Sequence, residues 1–178
     1  ASDAQYFYFD GLIKKLLDAA TDPNYPTITI GSPVALTINN VVDKFQACLD
    51  AVPDALLFRY GKQGTKYHVS YATAMLLEQA YMLTTFKNQD TTERGINKYR
   101  GYEVEALAGV PDDTIVLCIS KPDLDSNLWL GINSTDDMTL QLARLQANSE
   151  LFFVKGLFKM DTQSGFPDQV VLYTTLIA

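Results

Sequence analysis

His68 is the only histidine in the 178-residue chain. A metal site built on paired imidazoles is therefore excluded, and one residue alone could act as base to a serine or cysteine nucleophile. It stands in Lys66-Tyr67-His68-Val69-Ser70, whose alternation is that of a strand, and it reads as a structural or surface histidine. No Gly-x-Ser-x-Gly elbow occurs. Neither Cys48 nor Cys118 belongs to a Cys-x-x-Cys pair, which rules out thioredoxin-like redox chemistry. Cys48 shares a helical face with Phe45, Leu49 and Val52, and Cys118 lies inside Ile115-Val116-Leu117-Cys118-Ile119. Both are expected as buried free thiols of a reducing compartment, although the sequence leaves a bridge between them open.

Carboxylates come next. Asp112-Asp113, Asp123-Leu124-Asp125-Ser126-Asn127 and Asp136-Asp137 concentrate acids in three turn-like stretches. The middle one begins like a calcium loop. However, Leu128 stands where the sharp turn needs glycine, and Ser134 stands where a bidentate glutamate closes the site. These stretches read as solvated turns. Gly61-Lys62-Gln63-Gly64 lacks the spacing and the closing Lys-Ser/Thr of a phosphate loop, and no Gly-x-Gly-x-x-Gly occurs. Asn133-Ser134-Thr135 fits a glycosylation sequon, but no secretion signal accompanies it, so it reads as coincidence. The apolar faces, including Met75, Leu76, Leu77, Tyr81 and Met82, read as core rather than a cofactor box. No catalytic, cofactor-binding or metal constellation is expected.

Composition agrees with a folded, non-catalytic chain. Hydrophobic residues make up 47% and charged residues 20%, enough to bury a core and too apolar for disorder. The net charge is −7, and Lys14-Lys15 is the only adjacent basic pair. Clustered cations that release counterions from a phosphate backbone are missing, so specific nucleic-acid binding is not expected. No apolar run reaches the ~18 residues of a membrane span. The start, Ala1-Ser2-Asp3-Ala4, has neither an initiator Met nor a signal peptide, and the expectation is a processed or trimmed piece of something longer.

The elements that carry these residues fall into two halves. Residues 11–20 read as a short amphipathic helix, stopped by Pro23 and Pro26, with an extended piece at 27–30. A second helix starts near Asn39 or Asn40, with Thr37, Asn39 and Asn40 as candidate caps. It carries Val41, Val42, Phe45, Cys48, Leu49 and Val52 at helical spacing up to Pro53. Residues 54–60 read as helical tail or strand, and Gly61 to Gly64 as a turn. A strand at 66–70 and a helix at 71–86 follow. From Tyr99 onward strands dominate: 102–107, 114–120, 128–132, 151–160 and 170–175. Helices first and strands after indicate an α+β fold.

The order of motifs in this second half is more specific than any one of them. It runs from Tyr67-His68-Val69-Ser70-Tyr71-Ala72 to Tyr99-Arg100-Gly101-Tyr102-Glu103-Val104, then Gly109-Val110-Pro111-Asp112-Asp113-Thr114-Ile115. It continues through Asn127-Leu128-Trp129-Leu130-Gly131-Ile132 and Glu150-Leu151-Phe152-Phe153-Val154-Lys155-Gly156, and ends at Phe166-Pro167-Asp168-Gln169-Val170-Val171. This order resembles the C-terminal half of the major capsid proteins of tailed bacteriophages, prophage-encoded ones included. Phe9-Asp10-Gly11-Leu12-Ile13-Lys14 is similar to the family's entry into a short helix.

The resemblance implies a wedge of two helices and a mixed sheet over residues 33–146, the axial-type domain. Residues 1–32 and 147–178 would be segments of a peripheral domain, with the final strands pairing in its sheet. It implies a structural subunit of an icosahedral head, located in the virion capsid and made in the bacterial cytoplasm. Its partners would be copies of itself and other phage head proteins, with no cofactor, no membrane and no small-molecule ligand. The acidic loops would form wedge tips where copies meet. The expected subunit-contact residues are Gly61, Gly64, Asp112, Asp113, Asp136, Asp137, Phe166 and Pro167. Relatives of this kind also carry an N-terminal arm, an extended loop and a long spine helix, and this chain is expected to begin after all three. Other phage head or tail assembly proteins and the shell proteins of encapsulating compartments are the rival readings, ahead of an unrecognised enzyme.

Overall fold

The computed structural model describes residues 14, 15, 18, 28–30, 34–54, 57, 61, 64–83, 98–133, 139–144, 152–157 and 159–175. At its centre lies β5 (Ile115–Ile119), whose five residues are all buried. An unbroken apolar run is what a strand covered on both faces requires. Around it are β1 (Ile28–Thr29), β2 (Thr65–Val69), β3 (Lys98–Tyr99), β4 (Tyr102–Ala106) and β10 (Val171–Tyr173). They form one mixed sheet in the order β1-β10-β5-β2-β4-β3. β1 is parallel to β10 and β2 is parallel to β4, while the other pairs are antiparallel.

Two α-helices with defined bounds cover one face. α1 (Val41–Asp50) buries Val41, Phe45 and Cys48, the i, i+4, i+7 stripe visible in the sequence. Asn40 precedes it without capping its first turn. Instead its Oδ1 accepts from the Thr37 N–H at 2.7 Å, and its amide donates to the Ala35 carbonyl at 3.0 Å, fixing the approach to the helix. α2 (Tyr71–Leu83) is capped by Ser70, whose Oγ accepts from the Thr73 N–H at 3.1 Å. It lies between the parallel strands β2 and β4, which cannot be joined by a tight turn.

Beneath the helices sits an aromatic cluster. The Phe45 ring lies 5.0 Å from Tyr67 and 5.4 Å from Tyr99, and Tyr67 stands edge-on to Tyr99 and Tyr102. The polar ends are satisfied: Tyr67 donates to the Phe45 carbonyl at 3.1 Å and Tyr99 to that of Val42 at 3.3 Å. A smaller cluster of Leu107, Val110, Val116, Cys118, Leu128, Val170 and Leu172 fills the opposite face.

The stretch from 128 to 164 leaves this sheet as a pair of two-stranded ribbons. β6 (Leu128–Asn133) pairs with β9 (Lys159–Ser164), and β7 (Thr139–Arg144) pairs with β8 (Phe152–Leu157). The pairings are nested and antiparallel, so the two ribbons form successive segments of one long hairpin arm. The stretch expected as a single strand at 151–160 is therefore two strands in different ribbons. β7 and β3 were not expected.

β1 and β10, which come from the segments 1–32 and 147–178, are strands of the same sheet as β2, β4 and β5. Val171 and Tyr173 pack into the cluster under the helices and Leu172 into the cluster on the opposite face, so β10 is buried on both faces. The boundary at 146 falls between the paired strands β7 and β8. The helix expected at 11–20 and the segment 54–60 lie largely outside the described residues, as do 84–86.

Candidate subunit-contact surface

Strand directions decide which predicted residues share an end of the sheet. β2 runs antiparallel to β5 with Thr65 opposite Ile119, β4 is parallel to β2, and β10 is antiparallel to β5 with Val171 opposite Leu117. The starts of β2, β4 and β10 therefore all lie at the C-terminal end of β5. Gly61, Gly64, Phe166 and Pro167 belong to that end. Asp112 and Asp113 precede β5 and lie at the other end, a strand length of ~17 Å away. The acidic loops at Asp112 and Asp123 thus flank opposite ends of β5 and do not form a common tip. Asp136 and Asp137 lie outside the described residues.

Each placed residue has a local reason. Gly61 has φ +54° with open space around it, a conformation that glycine adopts without strain. Gly64 is buried under the Lys121 side chain, whose Cε an added Cβ would strike, and its carbonyl accepts from the Ser120 N–H at 3.0 Å. Asp113 adopts φ 58°, and its Oδ1 accepts from the Leu36 N–H at 2.8 Å, so this carboxylate is already engaged in holding the approach to α1. Asp112 is exposed.

Phe166 is the most unusual of the set. Its backbone is left-handed, φ 49° and ψ 62°, although it is bulky and precedes Pro167, two features that each disfavour that region. Its ring is 45% exposed and meets the Trp129 ring edge-on at 5.8 Å, with Trp129 41% exposed. Gly165 makes this arrangement possible, because a Cβ there would lie 2.9 Å from the indole.

Sequence reasoning missed the group that holds this corner. Asn127 is fully buried. Its Oδ1 accepts from the Ile119 N–H at 2.7 Å, and its amide donates to the carbonyls of Gly165 and Phe166 at 3.0 and 3.2 Å. Ser126 joins it, donating to the Ile119 carbonyl at 3.2 Å and accepting from the Leu128 N–H at 3.2 Å. The stretch examined as a calcium loop is therefore a clasp that ties the end of β5 to both strands of the arm. Its Ser and Asn oxygens are committed to the backbone. The signal was the adjacent Ser-Asn at a strand junction, which looks the same as a solvated turn until both flanking strands are placed.

The residues tested for chemistry are dispersed. His68 is buried on the face of Val116 and Cys118. Burial, with Lys66 nearby, lowers its pKa to about 4, and Glu105 Oε2 at 3.7 Å from Nδ1 does not offset that. It is a neutral core histidine at neutral pH. Cys48 and Cys118 are free, and they belong to clusters on opposite faces of the sheet, which settles the bridge left open by the sequence. Burial pushes both thiols up to about 12, so neither is poised as a nucleophile. Among the described residues no group of three or more His, Cys, Asp or Glu side chains is placed to hold a metal ion, and no helix is long and apolar enough to cross a membrane.

No protein-family profile matches the chain, and no curated protein matches it. Among solved structures it is similar to a chain of Mycobacterium phage Che8, at 13% identity and a TM-score of 0.63, over 99% of this chain and 60% of that one. Weaker likenesses reach the virus-like particle from Pyrococcus furiosus, at 10% identity and a TM-score of 0.48 over 92% of this chain and 60% of that one. Another is the Cyanophage A-1(L) capsid asymmetric unit, at 16% identity and a TM-score of 0.47 over 86% and 53%. The class defined by the mixed sheet, its two helices and the arm is thus an α+β fold shared with a phage chain. The protein spans 60% of the length of that Che8 chain.

Proposed function

We propose that the chain is a structural, non-enzymatic subunit of a tailed-phage capsid, or a portion of one, that assembles with copies of itself into an icosahedral head. The observation that carries this reading is the likeness in fold to the phage Che8 chain over 99% of the residues. The ordered strand motifs from Tyr67 to Val171 support it independently, because they resemble the same class of protein. The six-stranded sheet with α1 and α2 corresponds to an axial-type wedge, and the arm at 128–164 to a peripheral-type element. Copies of the chain and other phage head proteins are its partners, and the virion capsid is its location after synthesis in the bacterial cytoplasm. A net charge of −7 suits a container that repels packaged DNA rather than adhering to it.

Sedimentation of the full-length protein over a wide concentration range tests the reading. Growth from subunits into large discrete particles is expected. A cavity-bound substrate turned over by the protein, with loss of activity on replacing His68, would instead revive an enzyme.

A further inference from the structure

Three non-glycine residues among those described have positive φ: Arg100, Asp113 and Phe166. Aspartate tolerates that region, and Asp113 uses it to reach the Leu36 N–H. Arg100 and Phe166 are types that do not favour it. Arg100 is the first residue of the two-residue turn joining β3 to β4, followed by Gly101 at φ 91°. Such turns favour asparagine, aspartate or glycine at that position, so arginine there breaks the local rule. Both side chains are exposed. Strain of this kind persists where the surrounding structure holds a residue for use.

The two strained residues are chemically complementary. Phe166 and Trp129 present an exposed aromatic pair, with exposed Asp168 two residues further on. Arg100 is exposed with its guanidinium hydrogen-bonded to the Tyr99 side chain, and exposed Lys98 stands opposite Glu103 across β3 and β4. Two ion pairs on these surfaces are formed within the chain: Lys66 pairs with Glu103 at 2.8 Å, and Lys15 with Asp161 at 2.7 Å. An arginine stacks on an aromatic face within about 6 Å, and a carboxylate completes its hydrogen bonds.

Within one chain the two groups cannot meet. Arg100 precedes β4 and Phe166 precedes β10, so both lie at the C-terminal end of β5. β4 and β10 are separated by β5 and β2, a lateral distance of ~14 Å. Same end, opposite sides, is the arrangement that a head-to-tail contact between copies needs, and repetition of such a contact closes a ring.

We propose that the Arg100 turn of one copy, with Lys98, docks on the Trp129–Phe166 pair and Asp168 of the next. This inference rests on the shell reading and names the surfaces through which its subunits join side by side.

The test uses the full-length protein and two variants whose new residue tolerates positive φ, Arg100→Asn and Phe166→Asn. For Arg100→Asn the melting temperature of the subunit is expected to stay level or rise. For both variants, assembly is expected to need about tenfold more protein, the effect of losing one partly desolvated cation–π contact. Cysteine placement gives a second readout, since both native cysteines are buried. Arg100→Cys protein mixed with Phe166→Cys protein is expected to form a disulfide-linked dimer that neither forms alone. Unchanged assembly without mixed cross-linking, or cross-linking only within one pool, overturns the inference and leaves the shell reading standing. A native protein that never associates overturns the shell reading, and this contact with it.

Discussion

The sheet and the arm solve the burial problem in different ways. In the sheet, Ile115–Ile119 and Val171–Tyr173 are covered on both faces by residues of the same chain. In the arm, Leu142 is 67% and Val154 is 57% exposed, although they face each other as a register pair across β7 and β8. An isolated two-stranded ribbon is marginal in water. The sheet strands are thus covered from within the chain, whereas the arm and the outer face of α2, where Tyr71, Met75, Met82 and Leu83 are 60–68% exposed, leave apolar surface uncovered.

The largest expected effect is in the sheet. Phe45→Ala opens the aromatic cluster and is expected to cost about 3–5 kcal/mol, read by denaturant unfolding. A cost near that of a surface change would break the contrast. Acid comes next. Burial holds His68 neutral down to about 4, against the ordinary 6.5 of an exposed imidazole. The unfolded chain therefore binds this proton first as the pH falls. The sheet's stability is intact above pH 6.5 and declines toward pH 4, by about 3 kcal/mol at about 1.36 kcal/mol per unit. Unfolding at pH 7 and pH 5 measures the slope, and His68→Gln should flatten it. If His68→Gln keeps the full slope, the buried imidazole is not its source.

Asn127→Ala removes the clasp between the two regions and strands the Ile119 N–H and the Gly165 carbonyl, while the Phe166 carbonyl keeps the Gln169 N–H. A loss of about 2–3 kcal/mol is expected, with faster amide exchange at Ile119. Unchanged exchange there would show that the clasp does not join the regions. The smallest effect sharpens the comparison most. Leu142→Ala is expected to change the stability of the unassembled chain by under about 0.5 kcal/mol, and its effect should grow on assembly.

The parts legible in the sequence were those governed by local spacing. The stripe of Val41, Phe45 and Cys48 placed α1, and the uninterrupted run at 115–119 placed β5. β7 escaped because Thr139-Leu140-Gln141-Leu142-Ala143-Arg144 is rich in helix formers, and pairing with β8 overrides that preference. The change of ribbon near residue 158 was hidden inside one apolar stretch. Asn127 was out of reach for a different reason: its value lies in three backbone groups brought from Ile119, Gly165 and Phe166, and local pattern carries no information about such distant pairing. The shared end of Gly61, Gly64 and Phe166 follows from strand direction in the same way. The fold class needed only the order of elements.

Electron microscopy of the purified full-length protein under assembly conditions tests the shell reading most directly. Closed particles of uniform size with icosahedral symmetry, built from this chain, are the predicted result. A protein that remains strictly monomeric at high concentration under every assembly condition would contradict it.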